Sequence, residues 1–159
     1  MLQDIDRWLQ KRIPDEWFSD PADIRTDGEE ILIVGTLPAA GQVPPADAIR
    51  AFREDTRERR MRIAAEAEQR FGRAVSWGVR CGDLRQLFTT YSVPVMTRLR
   101  MDEREVLDTL IASGVARTRS DALAWCVKLV AEHEGDWLKQ LQEALVHVEK
   151  VRAAGPNPR

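Results

Sequence analysis

An α+β fold is predicted by three observations in this 159-residue chain. "ILIVGTL" (31–37) is β-branched and apolar on both faces, as a buried strand is. "AVSWGVRC" (74–81) sets Val75, Trp77, Val79 and Cys81 at alternate positions, a second strand signal. Beyond residue 100 the apolar residues recur instead at three and four, the spacing of packed helices. Composition agrees: 43% hydrophobic and 31% charged residues describe an ordinary globular chain.

From the N-terminus, Leu2, Ile5 and Leu9 lie on one side of a short helix over 2–12, with Trp8 beside them. "IPDEWFSDPADIRTDGEE" carries two prolines, many acids and the pair Trp17-Phe18, and reads as a loop pinned by aromatics. After the strand at 31–37, "PAAGQVPPAD" is a linker. From about Pro45 to Phe71 the chain reads as one long helix, with Ile49, Phe52, Ile63, Ala67 and Phe71 near one stripe and Gly72 as its stop. The strand at 74–81 follows, then a turn at Gly82-Asp83. "LRQLFTTYS" carries no assignable pattern. Strand, long helix, strand in this order is a βαβ crossover. "VGTLPAAG" matches neither GxGxxG nor a Walker loop, so the crossover has no phosphate cradle.

In "VPVMTRLRM" (93–101) apolar and polar residues alternate along the second half, a strand too short to stand alone in water. "MDEREV" then reads as a helix start, with Asp102 as N-cap, Glu105 completing a capping-box-like pair and Met101 stapled to Val106. Val106, Leu107, Leu110 and Ile111 form its stripe, and Gly114 ends it. "RTRSDALAWCVKLV" opens another helix, with Thr118 as N-cap and Asp121 three residues on. Leu123, Val127 and Val130 line its inner side, flanked by Trp125, Cys126 and Leu129. Residues 136–152 add an amphipathic helix through Trp137, Leu138, Leu141, Leu145, Val148 and Val151, either broken from the previous one at Gly135-Asp136 or continuous with it.

Strand, three-turn helix, glycine turn and a helix opening with "RTRSDAL" resemble the ribbon-helix-helix family of Arc- and MetJ-like DNA-binding proteins. The resemblance covers about residues 93–133. It implies that the short strand pairs antiparallel with the same strand of a second chain. Val95, Thr97, Leu99, Leu107, Leu110, Leu123 and Val127 then form the dimer core. Pro94, Met96 and Arg98 face outward into a DNA major groove. The start of the helix after the turn, with Arg100, Arg117, Thr118, Arg119 and Ser120, meets backbone phosphate. The family usually shows three polar side chains on the outer face. Here Arg98 alone can bind guanine through two hydrogen bonds, Met96 offers apolar contact, and Pro94 suits a strand end.

The expected organisation is therefore an α+β regulatory or interaction region over 1–92, a ribbon-helix-helix dimer module over 93–133, an additional amphipathic helix over 134–153, and a disordered tail over 154–159. The two halves join without a flexible linker and are expected to pack together. The implied function is a homodimeric DNA-binding protein, a transcriptional regulator that inserts a two-stranded ribbon into the major groove. The alternative is a non-enzymatic interaction or antitoxin-like module that uses the same dimer fold without specific DNA reading. The expected partners are a second copy and double-stranded DNA, with a protein partner for residues 1–92 left open.

Charge and chemistry bound these readings. The net charge of −2 divides into −6 over residues 1–48, +6 over 49–100 and −2 over 101–159. The basic middle either follows phosphates or is a solvated helix with pairs such as Glu54–Arg57 and Glu58–Arg62. Cys81 and Cys126 stand in no CxxC spacing and are expected to be reduced core residues. His133 lacks the second histidine of HExxH, and His147 reads as a helix-surface residue. Trp77, Trp125 and Trp137 read as core. No metal site, cofactor site or catalytic constellation emerges, so an enzyme is not expected. The N-terminal residues do not read as a secretory signal, no apolar run is long enough to span a membrane, and a cytoplasmic location is expected. Twenty arginines against four lysines point to a GC-rich, bacterial genome.

Overall fold

The computed structural model describes residues 2–38 and 41–155, without the side chains of Leu2 and Gln3. Leu2 as a core residue, Ala39 and Ala40 of the expected linker, and residues 156–159 of the expected tail lie outside that description. The chain is a mixture of helices and one four-stranded sheet, and it divides into two compact units, Met1–Val95 and Met96–Arg159.

The first unit contains α1 (Leu2–Gln10), a single 3-10 turn (Asp15–Trp17), β1 (Asp23–Thr26), β2 (Glu30–Thr36), α2 (Pro45–Asp55), α3 (Arg57–Phe71), β3 (Ala74–Cys81) and β4 (Leu84–Leu87). The sheet runs in the order β1-β2-β3-β4. Its central pair is parallel, from Glu30 opposite Ala74 to Thr36 opposite Arg80, and α2 and α3 form the crossover. This is the βαβ unit the sequence predicts.

The two outer strands are additions to that reading. β1 pairs antiparallel with β2, Asp23 opposite Val34. In the turn between them, the Asp27 carboxylate accepts the backbone N–H groups of Glu29 and Glu30, both at 2.8 Å. These bonds hold its pKa below the usual carboxylate value. β4 pairs antiparallel with β3, Cys81 opposite Leu84. It occupies the first part of "LRQLFTTYS".

The core forms where the inner face of the sheet meets the helices. Ile31 and Ile33 of β2 and Trp77, Val79 and Cys81 of β3 are buried with Ile5 and Leu9 of α1, Ile49 of α2, and Ile63 and Ala67 of α3. Trp17 enters the same cluster, with its ring edge-on to Phe52 at 5.6 Å and to Trp77 at 6.0 Å. The loop before β1 is thus pinned by aromatics, as expected. Phe18 lies so close over Gly35 that a Cβ there would sit 2.2 Å from its ring, so β2 requires glycine at that position.

The helix expected over 45–71 is two helices, α2 and α3, divided at Thr56. The Thr56 hydroxyl donates back to the Phe52 carbonyl, a bond that bends helices. Arg60 then inserts its guanidinium, donating to Thr56 Oγ1 at 2.9 Å and to the Arg53 carbonyl at 2.7 Å. Arginines of this segment also reach outside it: Arg59 pairs with Glu16 at 3.1 Å.

The second unit contains α4 (Met101–Ala112), α5 (Arg119–His133) and α6 (Gly135–Ala154). α5 and α6 are separate helices, divided at Glu134. α6 runs through Ala154, so the first position of the expected tail is helical. The interior of this unit is small. Leu107, Ala116 and Ala122 are buried, with Leu99, Leu110, Ile111, Leu123 and Cys126 packed partly against them. No helix among the described residues is long and apolar enough to cross a membrane.

Candidate nucleic-acid interface

The candidate site comprises the segment 93–100, the start of α4, and the turn from α4 into α5. Residues 89–100 have no regular secondary structure and enter no ladder of the chain's own sheet. The only sheet is the four-stranded one of the first unit, so no two-stranded ribbon occurs within a single chain among the described residues. Side chains along the segment are exposed, Val95 at 82% and Met96 at 97%. Pro94, Thr97, Arg98 and Arg100 are exposed as well, while Leu99 turns inward against the Leu107 cluster.

The start of α4 departs from the expected pattern. The N-cap is Arg100, in extended backbone, not Asp102. The capping carboxylate is Glu103, which accepts the Arg100 backbone N–H, not Glu105. Starting the helix two residues earlier places Asp102 and Glu103 in its first turn, where negative charge opposes the positive helix end. It also removes the hydrophobic staple, since Met101 and Val106 are both exposed. In its place, the Arg104 guanidinium donates to the Leu99 carbonyl at 2.7 Å, tying the preceding segment to the helix.

α4 ends at the Ser113-Gly114 turn, as expected. Gly114 takes φ +78°, a left-handed conformation that glycine adopts without the Cβ clash. The Val115 and Ala116 N–H groups close the turn by donating to the Leu110 carbonyl at 3.0 and 3.2 Å. Thr118 caps α5 as predicted, its hydroxyl accepting the Asp121 N–H at 3.1 Å. With Asp121 satisfied in this way, the Arg119 and Ser120 N–H groups at the helix start have no intrahelical acceptor. Arg117 and Ser120 are exposed beside them.

Arg119 has a partner that sequence spacing did not reveal. Its Nε and Nη2 donate to both carboxylate oxygens of Asp108, at 2.8 and 2.7 Å. This two-point pair joins α4 to α5. The hydrogen bonds from Arg119, followed by its charge and that of Arg104, hold the Asp108 carboxyl below the usual carboxylate range, and the same pair raises the Arg119 pKa. A phosphate approaching Arg119 therefore competes with a carboxylate already in place.

Of the residues expected in a dimer core, Leu107 is buried, Leu110 and Leu123 are half-buried, and Val95, Thr97 and Val127 are exposed within one chain. Val130, Trp125, Trp137, Leu145 and Val148 are exposed too, so Trp125 and Trp137 are not core residues of the single chain, whereas Trp77 is. Cys81 and Cys126 are free thiols, Cys81 buried and Cys126 half-buried. No group of three or more His, Cys, Asp or Glu side chains is placed to hold a metal among the described residues.

Comparison with known proteins divides the chain in the same region as its packing does. Residues 3–87 match the family model of the Rv1265-like protein N-terminal domain, and residues 100–152 match that of the Mb1296 C-terminal domain. The uncharacterized proteins Mb1296 of Mycobacterium bovis and Rv1265 and MT1303 of Mycobacterium tuberculosis are each 50% identical to it over 156 residues, covering 94% of this chain and 69% of theirs. No solved structure matches the chain significantly. With the first family model covering more than half of its residues, the chain belongs to the Rv1265-like family.

Proposed function

We propose that residues 93–133 pair with the same segment of a second chain as a ribbon-helix-helix dimer, and that the protein is a homodimeric DNA-binding transcriptional regulator, cytoplasmic and non-enzymatic. One observation carries this reading. A segment without regular secondary structure and with no ladder partner of its own leads directly into two helices that leave Met101, Val106, Trp125, Val127 and Val130 exposed in the single chain. Unpaired backbone groups and uncovered apolar surface are both removed when two such segments pair and their helices interlock. In that arrangement Pro94, Met96 and Arg98 face the groove. Arg117, Thr118 and Ser120 flank the free N–H groups at the start of α5, an arrangement suited to phosphate, and Arg100 stands at the start of α4 as a further phosphate contact. Arg119 serves first as the clamp on Asp108.

The test is binding to random and genomic duplexes over a range of salt. Affinity is expected to fall steeply with salt, since arginine contacts to phosphate release counterions. A purified dimer that binds no duplex even at low ionic strength would contradict the reading.

A second reading is an interaction or antitoxin-like module on the same dimer. It is favoured by the almost full exposure of Met96 beside Pro94, because two of the three outward positions present apolar surface rather than hydrogen-bonding groups. That surface suits a protein partner better than a base edge.

A further inference from the structure

The break between α2 and α3 concentrates positive charge around one aromatic ring. Arg60 is 7% exposed, and its guanidinium carbon lies 4.6 Å from the centre of the Phe88 ring. Arg53 lies over the same ring at 5.6 Å. Arg57, at the first position of α3, lies one turn before Arg60 on the same helix, and the charges of both Arg53 and Arg57 act on Arg60. Arg53 and Arg57 are exposed. Glu54, Asp55 and Glu58 are close in sequence. Even so, none of the three arginines forms an ion pair with a carboxylate among the described residues.

The contacts of Arg60 are all neutral: a hydroxyl, a carbonyl and a ring. They orient its charge without neutralising it. Burial, and then the charges of Arg53 and Arg57, push the Arg60 pKa down, so this charge is held at a cost that an anion would relieve. The other arginine pairings of the unit contrast with this one. Arg12, Arg50, Arg59 and Arg80 each meet a carboxylate, at 2.8, 2.6, 3.1 and 3.4 Å.

We propose that Arg53 and Arg60, both set over Phe88, together with Arg57 beside them form a site for a phosphate-type oxyanion, supplied either by a nucleic-acid backbone or by free phosphate. Arg60 is the fixed, oriented charge, and Arg53 and Arg57 are the exposed arms that close on the anion. Guanidinium groups suit this role because their planar forks match phosphate oxygens two at a time. In its nucleic-acid form the proposal rests on the DNA-binding reading. Chain length allows it, since eight residues from Phe88 to Met96 span at most about 28 Å when fully extended. A duplex held at the ribbon is therefore within tether range of the cluster.

The experiment compares the full chain with Arg53→Gln/Arg57→Gln, two exposed substitutions that leave Arg60 and the core intact, and with Arg53→Lys/Arg57→Lys. One arm measures the melting midpoint in millimolar inorganic phosphate against chloride at equal ionic strength. The other measures duplex affinity over a salt series. The proposal expects the glutamine variant to lose a phosphate-specific rise in midpoint, to lose about 1 to 2 units of salt slope on DNA, or both; the lysine variant, which keeps the charge without the fork, is expected to retain the salt slope and only part of the phosphate-specific rise. A response in the phosphate arm alone assigns a free-phosphate site, which stands even if no variant binds DNA and the regulator reading fails. A response in the DNA arm alone assigns a backbone contact. If wild type and glutamine variant behave alike in both arms, the site does not exist.

Discussion

The two units solve the problem of burying apolar surface differently. Met1–Val95 buries Ile, Leu, Val and Trp residues from every one of its larger elements in one continuous cluster, from Ile5 of α1 to Val79 of β3. Among its described residues Met96–Arg159 buries only Leu107, Ala116 and Ala122, and leaves Val127, Trp137, Leu145 and Val151 uncovered. Both are rich in apolar residues, so the difference lies in geometry. A parallel pair of strands under a helical crossover closes on itself. An irregular segment with three helices, each leaving large apolar residues exposed, does not. Small domains are marginal even when well packed, and the exposed apolar side chains of the second unit are what the proposed dimer would cover.

Substitutions can separate the two regimes, and the largest effect is expected in the first unit. Trp77→Ala removes a buried ring of β3 that packs edge-on against Trp17 and is expected to cost about 3–5 kcal/mol. Its effect on the melting midpoint of the full chain should not depend on protein concentration. In the second unit Leu99→Asp drives a charge into the interface that the dimer reading requires. It is expected to abolish dimers in light scattering and the helical signal of α4 and α5, while the near-ultraviolet signature of Trp17 and Trp77 persists. A variant that remains dimeric would break the comparison.

Smaller effects follow at the proposed interface. Arg98→Ala is expected to cost about 1–3 kcal/mol in duplex affinity and to relax discrimination at one base pair. A uniform loss on all sequences would make Arg98 a phosphate contact instead. Last is the Arg119–Asp108 clamp. The folded-state pKa of Asp108 lies below its ordinary value, so its stabilising contribution is complete above the usual carboxylate range and is lost as pH falls through the depressed value. Asp108→Asn should lower the melting midpoint slightly near neutral pH and leave it close to wild type in strong acid. A gap between the two proteins that is constant with pH would show that the charge of Asp108 is immaterial.

How far the sequence could be read tracks the range of the interactions involved. β2 and β3 were legible because a strand buried on both faces is apolar throughout, and β3 keeps its alternation at Val75, Trp77, Val79 and Cys81. β1 and β4 were not, because "DIRT" and "LRQL" are short polar edge strands. Only their pairing with Val34 and Gly78, residues distant in sequence or across a turn, makes them strands. The break at Thr56 was hidden for a similar reason, since it involves Arg60, whose place depends on Phe88. At the candidate site the Thr118 cap was legible because its acceptor and donor are three residues apart. The α4 start was misplaced because Asp102 is a common capping residue, while the actual cap uses the Arg100 backbone. The Arg119–Asp108 pair spans two helices, which no local pattern encodes.

If the second unit folds as half of a dimer, its stability depends on protein concentration. Light scattering of the full chain across a dilution series, followed at each concentration by thermal melting, measures that dependence. A dimer is expected at micromolar concentration, with a C-terminal helical transition whose midpoint falls on dilution and the first unit's transition unmoved. A monomer at every concentration, with α4 and α5 intact, would contradict the dimer reading.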